Sequence, residues 1–95
     1  MRRRQLQDLY PLADLLFLDP EAMDEAVIGV CERFGQEPIV AYDRDAVIRI
    51  LAIELGGGLE NAQEWFYYNT LSWGGDNTPC FVSDGMHRSE KILIT

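Results

Sequence analysis

The sequence predicts an α+β domain in which three or four helices pack on a small sheet of two or three strands. Apolar residues make up 47% of the chain, which is enough for a hydrophobic core. Segments with helical spacing of apolar residues alternate with shorter runs rich in β-branched residues. These runs are too short for βαβ crossovers throughout, so an α+β class is favoured over a parallel α/β class.

The length of 95 residues corresponds to one domain. A chain of this size buries roughly two-thirds of its unfolded surface, enough for one core without disulfides or metals. We therefore expect a single domain over residues 1–95. Three arginines follow the first methionine, and the sequence leaves open whether residues 1–10 form a flexible basic end.

Two helices are predicted in the first third of the chain. Leucines at near-helical spacing, limited by Pro11, predict a short helix over residues 11–17. A longer helix is predicted over residues 19–34, with Asp19 as its N-cap and Gly35 as a left-handed C-cap. Its apolar residues fall on one side and its acidic residues on the other, so we expect it to present an acidic face to water.

The middle of the chain predicts a strand followed by the central helix. Residues 38–42 are rich in β-formers and begin with a proline. Asp43 is predicted to cap a helix over residues 44–55. Because that helix has almost no polar face, we expect it to be buried on most sides.

An aromatic helix and two strands are predicted for the rest of the chain. The helix covers residues 59–72, and its four consecutive aromatic residues cannot all be buried, because they point around the whole circumference. We expect Trp65 and Phe66 on the apolar side and Tyr67 at the surface, where aromatic residues often form binding hot spots. Strands are predicted over residues 78–83 and 91–94. A hairpin turn is predicted between them at residues 84–85.

The charge of the chain is concentrated in its body. Residues 5–87 hold fifteen acidic residues and three arginines, a net charge of about −12, whereas the whole chain carries −8. A body this acidic repels nucleic acid and anionic membranes, so we expect it to bind neither directly. The expected partner is a protein with a basic surface, including a surface that normally receives phosphate.

The most specific functional hypothesis comes from the acidic face of the helix predicted over residues 19–34. Carboxylates four residues apart on a helix lie about 6 Å from each other, which is close to the phosphate spacing of a nucleic-acid strand. Such a face would imitate a nucleic-acid backbone, whereas the alternative is a solvated face that only keeps the protein soluble. The candidate protein-binding residues are Glu21, Asp24, Glu25, Glu32, Glu60, Glu64 and Tyr67.

Motifs for catalysis, cofactors and metals are not found in the sequence. The three glycines at 56–58 follow a helix and lack the Lys-Ser/Thr pair of a phosphate loop. His87 is the only histidine, which argues against an ordinary zinc site and against histidine-based catalysis. We therefore expect a non-enzymatic protein without cofactor or metal, although residue type leaves open acid–base chemistry by a pair of carboxylates.

The two cysteines and the distribution of apolar residues bear on location. Cys31 and Cys80 form no CxxC pair, so we expect two reduced thiols in the core of an intracellular protein. One disulfide or one reactive thiol are the alternatives. No segment contains the roughly 20 apolar residues needed to span a bilayer, and acidic residues interrupt any signal-peptide core near the start. We therefore expect a cytoplasmic protein.

Several short stretches of the sequence are similar to one known group of proteins. They are Asp24–Val30 with Glu32-Arg33, Ala41–Asp43, Ala62–Glu64, Tyr68-Asn69 and Asn77–Pro79. Over roughly residues 23–82 the chain resembles small uncharacterised proteins encoded by bacteriophages and prophages. The resemblance implies a bacterial or phage-infected cytoplasm, and it brings no activity and no binding residue with it.

The functional expectation combines the charge, the missing motifs and this resemblance. We expect a non-enzymatic accessory protein that binds a host protein with a basic surface. In its most specific form it is an inhibitor that imitates nucleic acid at the basic site of a defence or transcription factor. The alternative is a structural module that forms a homodimer through its aromatic helix, residues 59–73.

Overall fold

A computed structural model describes residues 2–70 and 77–83, with the backbone alone for Arg2. Within these residues the chain forms four helices, one of them ending in a π-helical turn, and a three-stranded mixed sheet, which confirms the α+β class. The elements in chain order are α1 (Arg2–Leu9), a 3₁₀-helix (Glu21–Ala26), β1 (Val27–Cys31), β2 (Ile39–Asp43), α2 (Arg44–Leu55), α3 (Gly58–Trp65), the π-helical turn (Phe66–Thr70) and β3 (Cys80–Val82).

Strand β2 lies in the middle of the sheet. It pairs with β1 in an antiparallel arrangement and with β3 in a parallel one. The strand predicted over residues 38–42 is confirmed to within one residue, and β3 lies inside the strand predicted over residues 78–83. The hairpin turn predicted at residues 84–85 and the strand predicted at residues 91–94 lie outside the described residues.

The prediction of one helix over residues 19–34 is wrong. The 3₁₀-helix occupies only residues 21–26, and no cap hydrogen bond from a side chain is found at its start, so the N-cap role predicted for Asp19 is also wrong. Residues 27–31 instead pair with β2. They include β-branched Val27, Ile28 and Val30, whose stiff side chains suit a pleated surface, and this pairing outweighs the helical spacing of the apolar residues.

Gly35 has the predicted left-handed conformation in a different context. Its φ angle is +80°, but it lies in the turn between β1 and β2 and does not end a helix. The positive φ explains the glycine, because residues with a Cβ atom rarely adopt this backbone conformation.

The start of the chain differs from both expectations made for it. The helix predicted over residues 11–17 is wrong, since α1 ends at Leu9, just before Pro11, and the residue before a proline disfavours helix. The sequence left open whether residues 1–10 are flexible; in the structure, residues 2–9 form α1. Arg3 anchors this helix: its guanidinium donates two hydrogen bonds to Asp24 Oδ1, from Nη2 at 2.8 Å and from Nε at 3.1 Å.

Helix α2 has the predicted ends. Asp43 Oδ1 accepts hydrogen bonds from the backbone N–H groups of Asp45 at 3.1 Å and Ala46 at 3.4 Å. Gly56 ends the helix at a φ angle of +77°. The predicted burial on most sides is wrong, because the side chain of Ile53 is 80% exposed. Only Val47, Ile48 and Leu51 of this helix are buried, so one side of it packs on the core and the other faces water.

Tyr42 of β2 contacts both strand β3 and the segment that follows α1. Its side chain is fully buried, its ring stacks against Phe81 of β3 at a centroid distance of 6.0 Å, and its hydroxyl oxygen accepts a hydrogen bond from the Leu18 N–H at 2.8 Å. The core around it consists of Leu15, Leu18, Met23, Ala26, Val27, Val40, Val47, Ile48, Leu51, Ala62 and Phe66.

We predict that Tyr42→Phe lowers the free energy of unfolding by about 1–3 kcal/mol, because the buried Leu18 N–H loses its partner. Urea unfolding should show a lower midpoint at an unchanged slope. Tyr68→Phe is the matched control, since that ring is 78% exposed, and its free energy of unfolding should stay within about 0.5 kcal/mol of wild type. Equal midpoints for the two variants would contradict the role given to Tyr42.

The same residue predicts an alkaline limit to stability. Burial raises the pKa of the Tyr42 hydroxyl in the folded protein. When the pKa is higher in the folded than in the unfolded protein, the protonated hydroxyl contributes fully to the free energy of unfolding below the unfolded pKa of about 10. This contribution is lost as the pH rises further. Urea unfolding between about pH 8 and 11 should therefore show falling stability above about pH 10, with a smaller fall in Tyr42→Phe. An identical fall in the variant would refute this.

Candidate protein-binding surface

The seven predicted binding residues do not share one surface. Glu21 and Glu25 lie on the 3₁₀-helix, while Glu32 follows β1. A strand rises about 3.3 Å per residue, so β1 alone separates these carboxylates by about 16 Å. The acidic stripe expected between residues 21 and 32 is therefore absent, because its spacing depended on a helix that does not form.

Asp24 is a structural residue. Only 7% of it is exposed, and its carboxylate forms the salt bridge with Arg3. The Arg3 side chain also donates to the Leu18 carbonyl oxygen at 3.2 Å and lies over the Phe17 ring at 4.7 Å. The salt bridge with Asp24 thus fixes α1 against the 3₁₀-helix, so Asp24 already has its partner inside the fold.

Glu32 is exposed and already has an intramolecular partner. Its Oε2 atom accepts a hydrogen bond from the Tyr10 hydroxyl at 2.7 Å, and this bond raises the pKa of Tyr10. The contact joins the residue after β1 to the end of α1. Glu32 is therefore part of a local link between two elements and lies apart from the other predicted acids.

Three of the predicted residues do come together on α3 and the π-helical turn. Glu60 and Glu64 are four residues apart on the exposed side of α3, and Tyr67 follows one turn later. Tyr68, which the prediction did not include, is the most exposed of these rings. We name Glu60, Glu64, Tyr67 and Tyr68 the acidic–aromatic surface; together with Gln63 they line a shallow depression of about 400 Å³.

Arg44 holds the aromatic part of this surface in place. Its Nη2 atom donates to the Tyr67 hydroxyl at 2.5 Å, and its Cζ atom lies 5.4 Å from the Tyr67 ring centroid and 5.6 Å from that of Phe66. Arg44 is the first residue of α2, so the capped start of this helix positions the Tyr67 ring on the π-helical turn that follows α3. Sequence reasoning missed this contact, since the two residues are 23 positions apart.

Phe66 anchors the surface to the core. It is fully buried and makes edge-to-face contacts with Tyr67 at 5.5 Å and with Phe81 of β3 at 4.9 Å. The prediction for Phe66 is confirmed, whereas that for Trp65 is wrong, because this ring is 45% exposed. The buried line of the helix runs through Ala62 and Phe66, four residues apart, and Trp65 lies beside it.

A second exposed set of residues is apolar. Ile53, Leu59 and Trp65 are all exposed, and they lie on α2 and α3, which pack against each other. Single exposed apolar side chains are ordinary, whereas a contiguous apolar patch is typical of an interaction surface.

The described residues also bear on metal ligands, thiols and membrane-spanning helices. No group of three or more His, Cys, Asp and Glu side chains there could hold a metal ion. Cys31 and Cys80 are free thiols, and both are half-buried, outside the fully buried core in which they were expected. Among the described helices none has the length and apolar character needed to cross a membrane.

Comparisons with known proteins found no family model, no curated protein and no solved structure that matches this chain.

We predict that Asp24→Ala lowers the free energy of unfolding by about 1–3 kcal/mol, because it leaves the Arg3 guanidinium without its carboxylate in a partly buried position. Urea unfolding measures the change. Glu25→Ala removes the same charge from an exposed site of the same 3₁₀-helix and should cost less than about 0.5 kcal/mol. A larger loss in Glu25→Ala than in Asp24→Ala would contradict a structural role for Asp24.

Proposed function

We propose that this protein is non-enzymatic and acts by binding another protein, with the acidic–aromatic surface placed against a basic surface of that partner. The observation that carries the proposal is the position of two exposed tyrosines directly beside two carboxylates on one helix. Tyrosine is among the residues enriched at binding hot spots. Lysine and arginine side chains of a partner can pair with the carboxylates and also lie over the rings.

The order within this surface supports binding. Arg44 and Phe66 hold the Tyr67 ring from two sides, so little side-chain freedom remains to be lost when a partner docks. Side chains that are ordered before binding cost less free energy on association. The acidic body adds long-range attraction toward a basic partner, which raises the association rate more than the final affinity.

Imitation of nucleic acid is a narrower form of the same proposal. Glu60 and Glu64 are four residues apart on α3, a spacing that puts carboxylates about 6 Å from each other, so they are the pair suited to two phosphate sites. The set of four acids expected between residues 21 and 32 no longer supports this form. That the partner is a host protein rests on the resemblance to phage and prophage proteins alone.

Self-association is the second candidate function. It is favoured by the exposed apolar residues Ile53, Leu59 and Trp65, which are suited to a second copy with the same apolar face. An isologous dimer brings the same patch of each copy together. In that case the acidic residues act only as solubilising charges.

The test of the main proposal compares two charge reversals of equal size. A partner captured from bacterial lysate is identified, purified and titrated with the full chain. Glu60→Lys with Glu64→Lys should weaken binding by at least about tenfold, or 1.4 kcal/mol. Glu21→Lys with Glu25→Lys makes the same change in net charge at another place and should leave affinity within about threefold.

The salt dependence of wild-type affinity completes this test. Affinity should fall as ionic strength rises from low to physiological values, because exposed charge pairs are screened. Equal losses of affinity in the two double variants would show that net charge causes the effect, and would contradict binding through the acidic–aromatic surface. Light scattering at two concentrations tests self-association: a dimer that Trp65→Ala converts to monomer would support the second candidate, and a concentration-independent monomer would remove it.

A further inference from the structure

Two arginine side chains of this protein show how its own fold binds a guanidinium group. Arg3 donates two hydrogen bonds to the Asp24 carboxylate, at 2.8 and 3.1 Å, and lies over the Phe17 ring at 4.7 Å. Arg44 lies 5.4 Å from the centroid of the Tyr67 ring and donates a hydrogen bond to the Tyr67 hydroxyl. In both places an aromatic ring and an oxygen acceptor together hold the same planar cation.

The acidic–aromatic surface carries these two kinds of group on its exposed side. Glu60, Glu64 and Tyr68 follow each other at intervals of four residues, and all three line the same depression of about 400 Å³. Both carboxylates are exposed, and the Tyr68 ring is 78% exposed. A carboxylate and a ring therefore border one depression, just as they border the guanidinium of Arg3.

The charges around this depression favour a cation. Glu60 and Glu64 bring two negative charges to it. Arg44, which holds the Tyr67 ring, is itself paired with Asp45 Oδ1 at 3.1 Å, so its positive charge is balanced locally. Because Arg44 already contacts Tyr67, a cation that enters from a partner meets the Glu64 carboxylate and the second ring of the surface.

The combination of carboxylate and ring selects arginine over lysine. A guanidinium is planar, presents two parallel N–H groups to a carboxylate and stacks on an aromatic ring, whereas an ammonium is a compact and strongly hydrated point charge. An exposed carboxylate alone discriminates weakly between the two, because surface ion pairs contribute little. The depression is near the lower end of the range for ligand sites, about 300–1,000 Å³, which suits one long side chain.

We propose that the acidic–aromatic surface recognises an arginine side chain of the partner, with the guanidinium paired to Glu64 and stacked on the Tyr68 ring. Glu60 adds attraction from the other end of the depression. This inference rests on the function proposed above, and it names the chemical group that the surface selects. A partner that presents arginine from a protruding segment fits the depression, and one whose basic surface consists of lysine binds less tightly.

The test is an NMR titration of the isotope-labelled full chain with two probes of equal charge, Nα-acetylargininamide and Nα-acetyllysinamide, at millimolar concentrations. The arginine probe should shift the amide signals of residues 60–68 and bind about threefold more tightly than the lysine probe, as expected for one exposed cation–π contact. Glu64→Gln and Tyr68→Leu should each abolish this preference. Tyr68→Phe retains the ring, and Glu25→Gln removes a carboxylate elsewhere, so both should retain the preference.

The outcomes separate this inference from the function on which it rests. Equal affinity for the two probes would overturn the selection of arginine and leave intact binding by charge at the same surface. A preference that survives in Tyr68→Leu or Glu64→Gln would overturn the geometry proposed for the guanidinium. Signal shifts confined to other residues, or no shifts with the arginine probe, would overturn the inference as a whole. The function itself is decided separately, by the charge reversals at Glu60 and Glu64 against the captured partner.

Discussion

The burial of Tyr42 is the constraint on which the rest of the structure depends. A phenol in a closed core needs a partner for its hydroxyl, and here the Leu18 N–H is the donor. The residue sits on the middle strand, paired with Val27 on one side and Phe81 on the other. One side chain thus connects the irregular segment after α1 with all three strands.

The candidate surface is a consequence of where β2 ends. Strand β2 ends at Asp43, which caps α2, so the first residue of α2 has a fixed position relative to the sheet. That residue is Arg44, and it holds the Tyr67 ring. The same ring contacts Phe66, which packs on Phe81 of β3. Binding through the acidic–aromatic surface would therefore use a ring, that of Tyr67, which the core has already ordered.

The acidic residues of this chain play different roles that their number alone does not reveal. Asp24 is neutralised by Arg3 across 21 residues of sequence, and Glu32 is used by Tyr10. Glu60 and Glu64 remain on an exposed helix face. Because charge repulsion costs stability, pairing some acids inside the fold while leaving others in water reconciles a strongly acidic body with a closed core.

Local signals by themselves determined the class, strand β2, the limits of α2 with its Asp43 cap, and the outward position of Glu60, Glu64 and Tyr67. A cap, a glycine and a helical period act within a few residues, so they can be read without knowing the partners. Only the tertiary structure decided that residues 27–31 form a strand, because their pairing partners in β2 lie between 8 and 15 residues away, beyond the reach of a local helical period. It also decided the burial of Asp24 and the contact of Arg44 with Tyr67, since each needs a partner more than 20 residues away.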